Sequence, residues 1–233
     1  MSAALVLQTQ DNHPPGLLAD WAAARMVALD VLRVDRWERL PDPAHYSFAV
    51  ALGSDASVVG ELSGWVARLV QWLERADGAG VPVLGICFGA QALAAALGGA
   101  AIRLPTPERA WIELGRRDSD WVAAGPWLAL HEDAIVLPPS ARELARNDFG
   151  PQAFKLGGHL GVQFHPEVTP SILARWATAK DGRVSSNLMI GATERCRLAS
   201  LGALRLFDGF IGHEPPGSSL AIAAGGGSDL DVS

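Results

Sequence analysis

Two short stretches hold the residues best suited to do chemistry: a cysteine set between glycines in "GICFGAQ" (85–91), and a histidine followed closely by a glutamate in "VQFHPEV" (162–168). Cys87 comes after the apolar run "VPVLGI" and before "AQALAAAL", so G-x-C-x-G joins a buried strand to a helix. That is the form of a nucleophile elbow, a sharp turn that lifts one side chain clear of the sheet edge. Gly85 and Gly89 suit it because a Cβ on either would collide with the neighbouring backbone. The thiol would stand at the amino end of the next helix, whose partial positive charge favours thiolate. The main-chain N–H of Phe88 would face the site and can hold a developing oxyanion. Taken alone, the turn fits a small buried residue equally well, since free cysteine is among the most buried types.

A thiol nucleophile needs a base. His165 ends the apolar segment "LGVQF", at the sheet edge where the elbow should emerge. Glu167, reached across the stiffening Pro166, can bond the far ring nitrogen and fix the imidazole's tautomer and orientation. Elbow, histidine and carboxylate together imply attack of a thiolate on a carbonyl carbon, with His165 carrying the proton.

The elements that must position these groups alternate along the chain. Strands are expected at "ALVLQ" from Ala4, "DVLRVD" from Asp30, "FAVAL" from Phe48, "VPVLGI" and "LGVQF" from Leu160. Helices are expected over 17–29 (Leu18, Trp21, Ala22 and Arg25 sorting onto faces), 61–80 (Leu62, Trp65, Leu69, Trp72 and Leu73 on one stripe), 90–99 and 171–180. A long C-terminal helix over 192–212 would turn Leu198, Leu201, Leu204 and Phe207 inward. Residues 100–160 are short segments broken by Pro and Gly, read as antiparallel strands added at one edge. This rhythm predicts an α/β fold: a doubly wound, mostly parallel, flavodoxin-like sheet with helices on both faces and a small antiparallel edge extension. One domain over residues 1–213 is expected, with 214–233, rich in Gly, Ser and Pro, as a loose tail.

Bulk properties narrow the function. The chain has 233 residues, about half apolar, and a net charge of -6, which gives no electrostatic footprint for nucleic acid or anionic lipid. The N-terminal "MSAALVLQTQ" lacks the pattern of a signal peptide, and apolar runs break well before the roughly 18 residues of a membrane span. Two cysteines allow at most one bridge, so a cytoplasmic protein with no nucleic-acid or membrane partner is expected. His45, His159 and His213 have no spacing that suggests a metal, and no cofactor is expected. His13, in "QDNHPPG", reads as a surface loop residue near the sheet edge, and Cys196 as core packing within its helix.

G-x-C-x-G-x-Q at Gly85–Gln91 and V-Q-F-H-P-E at Val162–Glu167 resemble the class I (triad-type) glutamine amidotransferases, most of all their stand-alone GMP synthase-like domains. The resemblance extends from the first strand to the helix after His165. It implies hydrolysis of the side-chain amide of L-glutamine by a Cys87–His165–Glu167 triad through a γ-glutamyl thioester. It also implies a second oxyanion donor at the N–H of Ser54, glutamine contacts from Gln91, Gly53 and Glu132, and ammonia passed to a separate synthetase. In three places the chain differs from the family pattern. "LGSDASV" puts Ser54 and Asp55 where the family has Gly and Pro, "LHEDAIV" puts Glu132 in place of the Gly of a His-Gly-Asp, and the stretch from Arg103 to Trp127 is short. Two other readings stay open: a hydrolase of γ-glutamyl amides or peptides, and a catalytically silent regulatory subunit.

Overall fold

The computed structural model of the chain describes residues 3–118, 122–178 and 184–212, so the expected tail at 214–233 and His213 lie outside the described residues. Among the described residues the main sheet has eight strands. Its parallel part comprises β1 (Ala4–Gln8), β2 (Leu29–Arg33), β3 (Ala49–Ala51), β4 (Val83–Ile86) and β10 (His159–Val162). Three antiparallel strands extend one edge: β6 (Arg116–Arg117), β8 (Arg142–Asn147) and β9 (Gly150–Leu156). The order across the sheet is β2-β1-β3-β4-β10-β9-β8-β6. The long strands β5 (Ala100–Ile112) and β7 (Trp127–Val136) leave this sheet and pair as a separate antiparallel ribbon. The edge extension expected from 100–160 is therefore divided in two.

Among the described residues six α-helices complete the layers: α1 (Leu17–Ala24), α2 (Gly64–Gly78), α3 (Phe88–Ala96), α4 (Pro170–Thr178), α5 (Ser186–Met189) and α6 (Ala192–Ile211). The buried strands have no polar face because both sides are covered. Along β1, Ala4 and Val6 meet the cluster under α1 and α6, while Leu5 and Leu7 meet the one under α2 and α3. That alternation is the two-residue period of a strand expressed as two cores. A third cluster under α4 and α5 takes in Leu173, Trp176 and Cys196. Burial there pushes the Cys196 thiol up to about 11, as befits the packing residue expected.

The structure corrects three sequence expectations. The first helix stops at Ala24, because the chain reverses at Met26 in the left-handed region (φ 55°) to enter β2 at Leu29. On α6 the inward face carries Ala199, Ala203, Leu206 and Phe207, while Leu198 and Leu201 are exposed. The helix lies so close to Trp127 that a Cβ on Gly202 would come within 2.9 Å of its ring, so small residues occupy the contact. His13 is buried too, with its ring centroid 5.3 Å from that of Trp176 on α4.

Candidate active site

Register sets the site. β4 and β10 run parallel with Ile86 opposite Val162, so the residues that follow both strands emerge side by side. Cys87 N–H donates to the Val162 carbonyl at 2.8 Å, which ties the elbow to the neighbouring strand. Cys87 itself takes φ 53° and ψ -112°, a conformation that L-residues rarely hold. The flanking glycines give it room, as expected. A Cβ on Gly85 would lie 2.6 Å from the Gly89 carbonyl oxygen, and one on Gly89 only 2.0 Å from that of Ala51. As the first residue of α3, directly after Cys87, Phe88 has an N–H without an intrahelical acceptor.

His165 is anchored by its N–H, which donates to the Leu128 carbonyl at 2.9 Å. Its Nδ1 lies 2.7 Å from Glu167 Oε1, with both side chains almost completely buried. This bond leaves Nε2 for Cys87. Burial opposes charge on the ring, but the Glu167 carboxylate and Cys87 outweigh it and raise His165 to about 10. Trp176 closes one side of the ring in an edge contact at 5.0 Å. Glu167 is braced from the β1–α1 turn: Leu17 N–H donates to its carbonyl at 2.9 Å, and a Cβ on Gly16 would strike that oxygen at 2.2 Å.

The loop after β3 completes this wall. A Cβ on Gly53 would come 3.1 Å from His165 Cε1 and 3.7 Å from Cys87 Cβ, so a side chain there would press on the imidazole. Ser54 follows it and lines the cleft together with Cys87, Phe88 and Gln91. The open volume of this cleft is about 460 Å³. Its far wall comes from the ribbon. Glu132 is held by Arg103 at 2.6 Å and Arg109 at 2.8 Å, and Asp133 by Arg103 at 2.9 Å and the Ser57 hydroxyl at 2.5 Å.

All the sequence-derived candidates therefore meet at one place. Gln91 lines the cleft as well, and its amide N–H groups go to the Asp133 carbonyl and to Gln163. Sequence reasoning overlooked Gln163, whose amide lies 3.7 Å from Cys87 Sγ. Its signal was a lone polar residue within "LGVQF", two positions from His165 and so on the same strand face. Arg103 and Arg109 gave no such signal, because the register of β5 shifts between Arg103 and Glu108.

Comparisons with known proteins address the family and the fold. The family model described as "Glutamine amidotransferase class-I" matches residues 60–175, which include Cys87, His165 and Glu167. GMP synthase (glutamine-hydrolyzing) from Aeropyrum pernix is 39% identical over 128 residues, 51% of this chain and 24% of that protein. The same enzyme from Nitrosomonas eutropha is 38% identical over 109 residues, 40% of this chain and 21% of its own. The matched segment thus spans about a quarter or less of these curated relatives. Among solved structures, a glutamine amidotransferase from Methylobacillus flagellatus superposes with a TM-score of 0.82 at 22% identity, covering 91% of this chain and 95% of that one. Another from Thermotoga maritima gives 0.78 at 22% identity, covering 91% and 99%. These two share the fold. With elbow and histidine strand both inside the matched region, the chain belongs to the class I glutamine amidotransferase family.

Proposed function

We propose that this domain hydrolyses the side-chain amide of L-glutamine and releases ammonia for an acceptor activated on a separate synthetase. The observation that carries the reading is the strained Cys87 beside a buried His165–Glu167 pair. The Cys87 thiolate attacks the carboxamide carbon while the carbonyl electrons move onto oxygen, toward the N–H groups of Phe88 and Ser54. The His165 imidazolium, oriented by Glu167, delivers its proton to the amide nitrogen, and ammonia leaves as the C–N bond breaks. Neutral His165 then takes a proton from water, whose hydroxyl cleaves the γ-glutamyl thioester. Glutamate departs and the thiolate–imidazolium pair is restored. The synthetase partner is inferred from the GMP synthase relatives, of whose length this chain spans about a quarter or less.

The test is ammonia and glutamate release from L-glutamine, wild type beside Cys87→Ala. Turnover that disappears in the variant supports the reading. Turnover that survives in Cys87→Ala, or a Cys87 that 6-diazo-5-oxo-norleucine labels no faster than Cys196, overturns it. A γ-glutamyl amide or peptide hydrolase is favoured instead if such substrates turn over and glutamine does not. The two arginines and two carboxylates of the far wall make that a specific alternative.

A further inference from the structure

Between the cleft and the ribbon, the hydrogen bonds of two carboxamides and a histidine, all buried, can run in only one direction. The Asp133 carbonyl oxygen lies 3.0 Å from Gln91 Nε2 and 2.9 Å from His131 Nδ1. A main-chain carbonyl has no proton to give, so Gln91 must offer its NH₂ there and His131 its Nδ1–H. The second hydrogen of the Gln91 amide goes to Gln163 Oε1 at 3.2 Å. Gln163 therefore turns its own NH₂ the other way, where Nε2 stands 3.7 Å from Cys87 Sγ. The far end obeys the same logic. His131 Nε2 is 2.7 Å from Glu108 Oε2, and that carboxylate also accepts from Asn147 at 2.6 Å and Gln152 at 3.1 Å. Both His131 nitrogens face acceptors, which holds the ring between the Asp133 carbonyl and Glu108.

We infer that this chain is a directional relay whose outcome is an N–H donor fixed on the Cys87 sulfur. Glu108 and His131 hold the Asp133 peptide, that peptide orients Gln91, and Gln91 orients Gln163. Only Gln163 touches the reacting atom; Gln91, His131 and Glu108 are positioning residues. An N–H aimed at sulfur favours thiolate over thiol, because the charged acceptor gains much more from the bond. Gln91 thus acts on the nucleophile through Gln163, a role distinct from the substrate contact that the family resemblance implies. The inference rests on Cys87 being the nucleophile.

The test is the pH dependence of Cys87 alkylation by iodoacetamide, read peptide by peptide with Cys196 as internal reference. Other charged groups surround Cys87: His165 with Glu167 behind it and, lining the same cleft, Asp55 from the loop after β3, Arg103 and Arg109 from β5, and His131, Glu132 and Asp133 from β7. The variants keep all of them. Gln163→Met removes the donor and should raise the midpoint by about one unit, slowing alkylation at neutral pH about tenfold. Gln163→Glu sets a carboxylate against the sulfur and should raise it further. Gln91→Met frees Gln163 to rotate and should act like Gln163→Met, so it makes the same measurement if the latter fails to fold. A purely structural role would lower melting temperatures and leave the midpoint in place. A reactive wild-type Cys87 whose midpoint is unmoved in the folded variants overturns the relay alone. A wild-type Cys87 no faster than Cys196 at any pH overturns the nucleophile reading, and the relay with it.

Discussion

Replacing Glu167 with Gln keeps the shape of the site and removes one charge. The carboxylate lies 2.7 Å from His165 Nδ1, with both side chains buried. At an effective dielectric of about 20, two unit charges at that distance attract by about 6 kcal/mol. The amide oxygen of Gln still accepts the Nδ1–H, and a neutral hydrogen bond retains roughly half the strength of a charge-assisted one. A net loss of about 3 kcal/mol in support for the imidazolium follows, or about 10²-fold in kcat/KM for glutamine at neutral pH. The pH profile should change with it. His165 is raised from 6.5 to about 10 against the burial that opposes it, with the Glu167 charge as the leading favourable cause. Without that charge, the alkaline edge of activity should move down from about 10 toward 6.5. The assay is initial-rate ammonia release between pH 5 and 11, with circular dichroism to confirm folding. The main-chain brace from Leu17 is untouched, so the variant should fold. A folded Glu167→Gln enzyme with wild-type kcat/KM and an unmoved alkaline edge would refute the role given to this carboxylate.

Three further outcomes follow from single contacts. Gly53→Ala brings a methyl 3.1 Å from His165 Cε1, so kcat should fall about tenfold while the melting temperature stays within about 2 °C; equal losses in both would mean a folding defect. Gly89→Ala drives a methyl to 2.0 Å from the Ala51 carbonyl oxygen, so chemical denaturation should show a loss of about 3 kcal/mol or more; a wild-type unfolding curve would contradict the packing of α3 on β3. The raised His165 makes stability depend on pH. Its contribution is complete below the unfolded value of 6.5 and is lost as pH rises through about 10. Thermal melts should therefore decline more across that window for wild type than for His165→Gln, and parallel curves would count against it.

The elbow was legible in the sequence because its cause is local: a buried strand, two glycines excluded from side chains by close backbone, and an alanine-rich helix. The parallel sheet was legible for a related reason, since β3, β4 and β1 as far as Leu7 carry no polar side chain. What escaped depended on neighbours far along the chain. Leu198 and Leu201 carry the larger apolar surface of α6, yet Ala199, Gly202 and Ala203 face inward because Trp127 requires a close approach. His13 lies in a polar loop and is buried against Trp176, which comes from α4. Gln163 read as an interruption in a strand, and its partners come from α3, the elbow and, through Gln91, the ribbon.

The departures from the family pattern at Ser54, Asp55 and Glu132 can be weighed physically. Neither Ser54 nor Asp55 has positive φ, so neither requires glycine, and the loop is tied instead by Asp55 N–H to Gln10 Oε1 and Ala56 N–H to Ser54 Oγ, both at 3.1 Å. Glu132 adds a carboxylate, but Arg103 and Arg109 accompany it, and Asp133 supplies the second negative charge. Two cations and two anions make a wall of near-zero net charge, suited to a zwitterionic amino-acid head. Restoring the family's glycine by Glu132→Gly should therefore harm the site, because it leaves the arginines in excess. The Michaelis constant for glutamine should rise about threefold to tenfold with kcat little changed, and Glu132→Gly with Arg109→Met should recover most of the loss. A Michaelis constant that falls in the single variant would mean that Glu132 obstructs the cleft, and the balanced-wall argument would fail.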